Sequence, residues 1–323
     1  MFRRIALLAF AALIGSAGLA HAQSYPTRPI RVIIPRPPGQ ATDLAGRIIA
    51  QRLSEVMGQP VVAENRAGAG GMIGTDFVAK APADGYTLLA GSSGPYTINP
   101  LLQRTAYETE RDFAPVALVG VSPYVLVANP AFPAANLAEF VAAVRARPGH
   151  FTFGSSGTGA TAHLIIEWFN AALGLRAEHI PFQGSAPSLT AVVAGQVNYS
   201  IETLAATQPL IRGNALRPYG ISFARGSTLA PTIPSIAANA PIPGFDVGAW
   251  IGLIAPAATP RAVLDVLEAA TLRGMDTPEA RERVAGIGIE MDLRGSAAFA
   301  TYLREQTANF RRIIETANIR LNN

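Results

Sequence analysis

Two stretches of the sequence combine glycine and hydroxyl-bearing residues with the expected start of a helix, a combination that can bind an anion. The first covers residues 35–43, Pro-Arg-Pro-Pro-Gly-Gln-Ala-Thr-Asp, and the second covers residues 153–161, Phe-Gly-Ser-Ser-Gly-Thr-Gly-Ala-Thr. Glycine lets the backbone approach a ligand closely, and the first helical turn exposes N–H groups that have no acceptor. We therefore expect a carboxylate-binding loop at each position. The alternative is that Thr42, Thr158 and Thr161 are ordinary helix caps.

Motifs for cofactor and metal chemistry are missing from this sequence. It contains no Cys, which excludes thiol nucleophiles, disulfides and cysteine-ligated metals. Its single lysine, Lys80, does not belong to a phosphate-binding loop. Beyond the first 22 residues, His150, His163 and His179 lack the spacing of a helical metal-binding pair. We expect no cofactor and no metal.

A hydrolase remains an alternative at this stage. The stretch Gly-Ser-Ser-Gly-Thr at residues 154–158 comes near to the Gly-x-Ser-x-Gly signature but places Thr158 where the second glycine belongs. Because triads assemble in space rather than in sequence, an exported enzyme using Ser155 or Ser156 with His163 stays open. The missing signature favours a protein without enzymatic activity.

The charge of the chain indicates which partners to expect, and the N-terminal pattern indicates the location of the protein. The formal charge is +4, and the 26 basic residues are scattered without a basic run, so we expect no nucleic-acid partner. Residues 1–22 place two arginines before an apolar stretch that ends in Ala-His-Ala, the pattern of a secretory signal peptide. We expect cleavage after Ala22 and a periplasmic location.

Length and periodicity predict the architecture. A chain of 323 residues, 49% hydrophobic, exceeds what one core usually supports, which indicates two lobes. Short β-branched runs alternate with amphipathic helical patterns, which predicts an α/β fold with mainly parallel sheets covered by helices. The predicted strands cover residues 31–35, 61–65, 87–92, 115–119, 124–128, 151–155, 179–182, 197–202 and 216–223. Helical patterns dominate after residue 262, and we expect the last helix to dock outside one lobe.

Two apolar stretches, at residues 119–124 and 245–256, look like crossings between the lobes. They predict that residues 23–124 and 246–323 form lobe 1 and that residues 125–245 form lobe 2. Both glycine-rich loops follow predicted strands, and ligands of parallel α/β sheets bind at the carboxyl ends of strands. A ligand cleft between the lobes is therefore expected.

The sequence resembles the Bug/TctC family, the extracytoplasmic solute receptors of tripartite tricarboxylate transporters. The matching blocks include Tyr-Pro-Thr-Arg-Pro-Ile at residues 25–30, Glu-Asn-Arg-Ala-Gly-Ala-Gly-Gly at 64–71, Ala-Pro-Ala-Asp-Gly-Tyr-Thr-Leu-Leu at 81–89, Pro-Phe-Gln-Gly-Ser-Ala at 181–186 and Trp-Ile-Gly-Leu at 250–253. Each block alone is weakly specific, whereas their number, order and spacing together are highly specific.

The resemblance implies a type-II periplasmic-binding-protein fold, in which two α/β lobes close like a Venus flytrap on a small carboxylated solute. It implies a binding protein, expected to be monomeric, that serves the membrane subunits of a tripartite transporter or, alternatively, a membrane sensor. The implied ligand-binding residues in the loops are Gly39, Gln40, Ala41, Thr42, Asp43, Ser155, Ser156, Gly157 and Thr158. Those implied around the pocket are Ser92, His163, Phe182, Gln183, Gly184, Glu202, Thr203 and Trp250.

One departure from the family pattern is informative. The family usually has Phe after the leading proline of the first loop, and this sequence has Arg36. A guanidinium can bind a second carboxylate through two parallel hydrogen bonds, which would favour a dicarboxylate. Three neighbouring aromatic residues suggest an aromatic diacid of the phthalate type: Tyr96, Phe182 and Trp250. The alternative is an outward-facing Arg36, or an ion pair with Glu64 or Asp84.

Overall fold

The computed structural model describes residues 25–316, so the predicted signal peptide at residues 1–22 lies outside the described residues. The strands are β1 (Ile30–Ile34), β2 (Val61–Asn65), β3 (Thr87–Ser92), β4 (Phe113–Ala128), β5 (Thr152–Ser155), β6 (Glu178–Pro181), β7 (Tyr199–Thr203), β8 (Arg217–Ile221), β9 (Gly248–Pro256) and β10 (Glu290–Gly295). None of the helices in this part of the chain is both long and apolar enough to cross a membrane.

The helices alternate with these strands. They are α1 (Ala41–Met57), α2 (Met72–Ala79), α3 (Asn99–Leu102), α4 (Thr109–Asp112), α5 (Leu137–Ala146), α6 (Thr161–Leu173), α7 (Ser185–Val193), α8 (Leu204–Arg212), α9 (Ile236–Asn239), α10 (Arg261–Met275), α11 (Pro278–Gly286) and α12 (Ser296–Thr316). A 3-10 turn precedes α2 at Ala69–Gly71, and a π-helical turn precedes α3 at Gly94–Ile98.

Strand β4 belongs to both halves of the sheet. From Phe113 to Pro123 it pairs with β9, and from Tyr124 to Ala128 it pairs with β7. Strand β9 continues through β3 to β1 and β2, and β7 continues to β5 and β6. The two strands predicted at residues 115–119 and 124–128 are therefore one strand, because a new partner takes over its backbone hydrogen bonds where β9 ends. The lobe boundary near residue 124 stays a prediction.

The predicted α/β fold is confirmed, but the sheet is mixed rather than mainly parallel. Strand β1 pairs in parallel with β2 and β3, and β5 pairs in parallel with β6 and β7. Around β4 every pairing is antiparallel, with β7, β8, β9 and β10. Strand β10 was missed because its sequence, Glu-Met-Asp-Leu-Arg-Gly, mixes charged and apolar residues and resembles the polar helices beside it.

The last helix, α12, packs against both halves rather than against one. Near its start, Phe299 and Leu303 join the core cluster that contains Trp250. Further along, Phe310 and Ile313 join the cluster around Phe245. The prediction of a helix docked on a single lobe is therefore wrong. A helix of 21 residues is about 30 Å long, which is enough to reach both cores.

Substitution of Gly252 by alanine tests the packing of the central strands. Gly252 lies in β9 opposite Gly91 and Leu118, and an added Cβ would stand 2.7 Å from the Ala117 carbonyl oxygen and 2.6 Å from the Phe299 ring. We expect Gly252→Ala to lower the unfolding free energy by about 1–3 kcal/mol through overpacking. Thermal unfolding followed by circular dichroism should show a melting temperature several degrees lower.

Gly286→Ala is the matched control for this prediction. An added Cβ at Gly286 would meet no atom within 4 Å, and the residue ends α11. Its melting temperature should stay unchanged or rise slightly, since alanine is the better helix former. Equal stability of Gly252→Ala and the unmodified protein would contradict the packing described for β9.

Candidate functional site

The first loop is fixed by the carboxylate of Asp43 in the first turn of α1. Its Oδ2 accepts a hydrogen bond from the Gly39 N–H at 2.8 Å, and its Oδ1 accepts from Arg47 Nε at 3.0 Å and Asn65 Nδ2 at 2.7 Å. Burial raises the pKa of Asp43, but these hydrogen bonds outweigh burial and hold the pKa below its usual value. The Asp43 side chain is thus occupied in positioning the loop, and only the backbone of Asp43 is free to bind an anion.

Arg36 lies in the same loop without an acidic partner. Its backbone carbonyl accepts from Asn65 Nδ2 at 2.9 Å, and its guanidinium lies against Gly94. Burial lowers the pKa of Arg36, and the nearby phenols of Tyr107 and Tyr124 partly oppose this shift. Arginine nevertheless stays charged in proteins, so the site holds a half-buried cation.

Both acids suggested as partners of Arg36 bind other arginines. Glu64 pairs with Arg66 at 2.7 Å, and Asp84 pairs with Arg28 at 2.8 Å. No carboxylate in residues 25–316 lies within ion-pair distance of Arg36. The alternative of an internal ion pair is therefore wrong.

In the second loop, the Ser155 hydroxyl lies 2.7 Å from His179 Nε2. The Gly159 N–H donates to His163 Nδ1 at 3.2 Å, and the rings of His163 and His179 stack with centroids 4.0 Å apart. Burial, together with His163, lowers the pKa of His179 to about 4, so its imidazole is neutral near pH 7. The partner of Ser155 is thus His179, and His163, only 7% exposed, serves to hold the loop.

Glu202, at the end of β7, lies beside the second loop and is only 1% exposed. The Ser185 hydroxyl donates to its Oε2 at 2.7 Å, while Oε1 is buried without a well-formed hydrogen bond from any described residue. Burial raises the pKa of Glu202 to about 7, and the Ser185 hydroxyl with the nearby hydroxyl and N–H of Ser156 offsets only part of that effect. A carboxyl group whose burial favours the protonated form therefore lies beside the second loop.

Trp250 does not line the pocket. It is fully buried, its indole N–H donates to Thr97 Oγ1 at 3.2 Å, and its ring packs edge-on against Tyr96 and Phe299. Tyr96 is likewise 5% exposed, so of the three expected aromatic residues only Phe182 is partly exposed. The prediction of an aromatic pocket is corrected, because these rings fill the core behind the site.

Two of the remaining predicted residues, Gln40 and Gly184, lie close together. The Gln40 amide nitrogen lies 3.4 Å from the position that a Cβ would take at Gly184, so the first loop approaches the turn before α7. Ser92, at the end of β3, has a buried hydroxyl without a partner. Gln183 is exposed and Thr203 half-buried. The ligand role of this set as a whole stays a prediction.

The threonines are not helix caps. The cap positions of α1 and α6 are Gln40 and Ala160, and neither helix has a side-chain cap hydrogen bond. Thr42 and Thr161 instead lie inside the first helical turns. The N–H groups of both first turns are thus left without side-chain acceptors. In contrast, Asn136, Ser235 and Thr277 cap α5, α9 and α11.

A cavity of about 400 Å³ lies elsewhere, between β10, α12 and the segment that follows β8. Its arginines already have partners: Arg294 pairs with Asp292 at 2.7 Å, and Arg225 pairs with Glu290 at 2.6 Å. These pairs leave its wall without an uncompensated positive charge. The two loops therefore fit an anion better than this cavity does.

Sequence reasoning missed three residues that shape the site. Asn65 donates to both Asp43 and the Arg36 carbonyl, His179 contacts Ser155, and Tyr124 lies near both Arg36 and Glu202. The position of Asn65 at the end of β2 was a usable signal, because strand ends of one sheet edge meet in space, whereas His179 is the second residue of β6 and carried none. Tyr124 is interior to β4 and carried no such signal.

Comparison with known proteins gives a consistent result. The model of the family described as "Tripartite tricarboxylate transporter family receptor" matches residues 45–319 of this chain. BugT of Bordetella pertussis is 39% identical over 270 residues, which cover 83% of this chain and 82% of BugT.

Two solved structures from Rhodopseudomonas palustris superpose closely. Rpa4515 with adipate has a TM-score of 0.85 at 31% identity and covers 92% of this chain and 99% of its own. MatC with bound malate has a TM-score of 0.81 at 31% identity and covers 90% of this chain and 100% of its own. With the family match extending over most of its length, the chain belongs to the TctC/Bug family of periplasmic solute-binding receptors of tripartite tricarboxylate transporters.

Proposed function

We propose that this receptor binds a small aliphatic dicarboxylate between its two loops and delivers it to the membrane subunits of a transporter. The observation that carries the proposal is Arg36, a half-buried cation without an acidic partner among the described residues. One ligand carboxylate would bind this guanidinium, and the other would bind N–H groups at the start of α6.

The energetics favour a ligand with a charge at each end. A cation removed from water without a partner is costly, so a carboxylate that reaches Arg36 relieves that cost. A charge-assisted hydrogen bond contributes about 1.5–3 kcal/mol, and a carboxylate can form two with one guanidinium. A monocarboxylate can occupy only one end of the site and leaves the other polar groups unsatisfied.

An aliphatic ligand fits this pocket better than an aromatic one. Trp250 and Tyr96 pack within the core, which leaves Phe182 as the aromatic side chain available for stacking. Two relatives carry aliphatic dicarboxylates, Rpa4515 with adipate and MatC with malate. We extend that ligand class to this chain.

We propose that the receptor acts in the periplasm, as the predicted signal peptide at residues 1–22 suggests, and that it acts there as a monomer. Delivery to a transporter is favoured over presentation to a membrane sensor because the family match is to transporter receptors. Uptake of radiolabelled adipate by cells with and without the gene separates the two roles. Unchanged uptake in cells lacking the gene would contradict the transport role.

A thermal-shift comparison of adipate with hexanoate tests the ligand class, since the two have the same carbon chain and differ by one carboxylate. A ligand at 100 times its Kd stabilises a protein by about 2.7 kcal/mol, which corresponds to several degrees. We expect adipate, and shorter dicarboxylates such as malate, to raise the melting temperature. Hexanoate should raise it much less. Equal shifts, or no shift with any dicarboxylate, would overturn the proposal.

Substitution of Arg36 by methionine tests its contact with the second carboxylate. Methionine keeps much of the length but removes the charge, so affinity for adipate should fall about 10-fold to 100-fold by calorimetry. The melting temperature of the free protein should not fall, because Arg36 has no ion pair to lose. Arg261→Met, at an exposed arginine of α10, is the control and should bind normally. Unchanged adipate affinity in Arg36→Met would contradict the contact.

We infer that the Ser155–His179 pair is structural rather than catalytic. Ser155 is fully buried, which keeps a substrate carbonyl from its hydroxyl, and the same hydroxyl accepts from the Gly157 N–H at 3.2 Å. The protein should therefore hydrolyse p-nitrophenyl acetate no faster than Ser155→Ala does, measured by absorbance of the released phenolate. Turnover that disappears in Ser155→Ala would favour the hydrolase instead.

A further inference from the structure

We propose that dicarboxylate binding is coupled to the uptake of one proton by Glu202, so that the receptor binds its ligand more tightly in mildly acidic surroundings. The inference deepens the proposed function and rests on it, because it requires a ligand carboxylate at the second loop. Glu202 acts here as a proton acceptor beside the ligand.

The hydrogen bonds around Glu202 suit a carboxylic acid better than a carboxylate. An ionised carboxylate accepts several hydrogen bonds, yet only Oε2 has a well-formed one, from the Ser185 hydroxyl at 2.7 Å. The hydroxyl and N–H of Ser156 lie beside the carboxyl and offset only part of the cost of burying its charge. Addition of a proton removes that charge, and burial accordingly favours the protonated form.

The same group lies where a ligand carboxylate would arrive. Ser156 belongs to the second loop, and its hydroxyl and N–H lie beside the Glu202 carboxyl. A ligand bound at the start of α6 would use N–H groups of this loop, so the two carboxyl groups would share one small, largely buried region. Two carboxylates in such a region do not both stay ionised, and one of them takes up a proton.

No positive charge on the surrounding elements compensates Glu202. From β4 the titratable group is Tyr124, while β5 and α7 carry none. The remaining titratable groups on β7 and on the neighbouring elements are Tyr199 on β7, His163 and Glu167 on α6, Glu178 and His179 on β6, Arg212 at the far end of α8, and Arg217 and Tyr219 on β8. Glu202 raises the pKa of Tyr124.

The direction in which the affinity for a dicarboxylate changes with pH follows from the burial of Glu202 and from its position beside the proposed ligand. Burial raises the pKa of Glu202 to about 7 in the free protein, and a nearby ligand anion would raise it further. Affinity is then highest below pH 7 and decreases as the pH rises through that value, because an increasing share of the binding free energy is used to protonate Glu202. For one such group the decrease between pH 6 and pH 8 is about tenfold.

Isothermal titration calorimetry with adipate at pH 6 and pH 8 tests this coupling. The Kd of the unmodified protein should be about tenfold higher at pH 8. Titrations at pH 8 in two buffers of different ionisation enthalpy should show close to one proton taken up per adipate. Calorimetry is preferred over thermal shift because the titration of Glu202 also changes the stability of the free protein.

Glu202→Gln is the decisive variant, since glutamine has the shape of the protonated acid and does not titrate. It should bind adipate at both pH values with nearly the affinity of the unmodified protein at pH 6, and without proton uptake. Glu167→Gln, a control that removes a carboxylate from α6 of the same lobe, should keep the tenfold dependence.

The possible outcomes are distinct. A pH dependence that persists in Glu202→Gln would show that a group other than Glu202 takes up the proton, and it would overturn this inference. Adipate binding with the same Kd at pH 6 and pH 8 would overturn it while leaving the proposed function intact. Absence of binding by every dicarboxylate tested, adipate and malate included, at both pH values would overturn both. If Glu202→Gln fails to fold, the proton count of the unmodified protein in the two buffers still decides.

Discussion

The exchange of partners along β4 is the constraint on which the site depends. Up to Pro123 the strand is bonded to β9, and from Tyr124 onward it is bonded to β7. One continuous backbone thus fixes two half-sheets next to each other, each contributing one of the two loops proposed to bind the ligand. Tyr124 lies at the point of exchange, and its phenol is influenced both by Arg36 of the first loop and by Glu202 of the second. The two ends of the site are therefore connected through the strand that both halves share.

The first loop contains the carboxylate of Asp43 and the guanidinium of Arg36, yet these two groups do not form an ion pair. Asp43 is occupied by the Gly39 N–H, Arg47 and Asn65, which together hold it ionised and away from Arg36. Asn65 also binds the carbonyl of Arg36, so the same amide anchors the backbone of the residue whose side chain stays unpaired. The carboxylate of Asp43 is satisfied within the loop region, whereas the guanidinium of Arg36 is left for the ligand carboxylate that we propose.

Local sequence patterns correctly predicted the strands whose bounds are set by neighbouring residues. Strands β2 and β3 match the predicted bounds of residues 61–65 and 87–92, because short apolar runs end there at turn residues. The unbroken course of β4 and the burial of Trp250 could not be predicted, since both depend on partners more than 100 residues away. The lack of a partner for Arg36 was equally hidden, because it follows from which arginines Glu64 and Asp84 bind.

The donors of the second loop explain why charge recognition is divided between the two loops. The Ser155 hydroxyl is bound to His179, and the Ser156 hydroxyl and N–H lie beside Glu202, so few side-chain donors remain for a ligand. The second loop therefore offers mainly backbone N–H groups, which recognise a carboxylate without fixing how many charges the ligand carries. Arg36 requires the second carboxylate, and protonation of Glu202 removes the negative charge that would oppose the first. The ligand can arrive as a dianion and bind to protein in which Glu202 is protonated. It can also arrive with one proton and pass that proton to Glu202. Both routes lead to the same complex, so the site determines the total charge of ligand and Glu202 together rather than the ionisation state in which the ligand arrives.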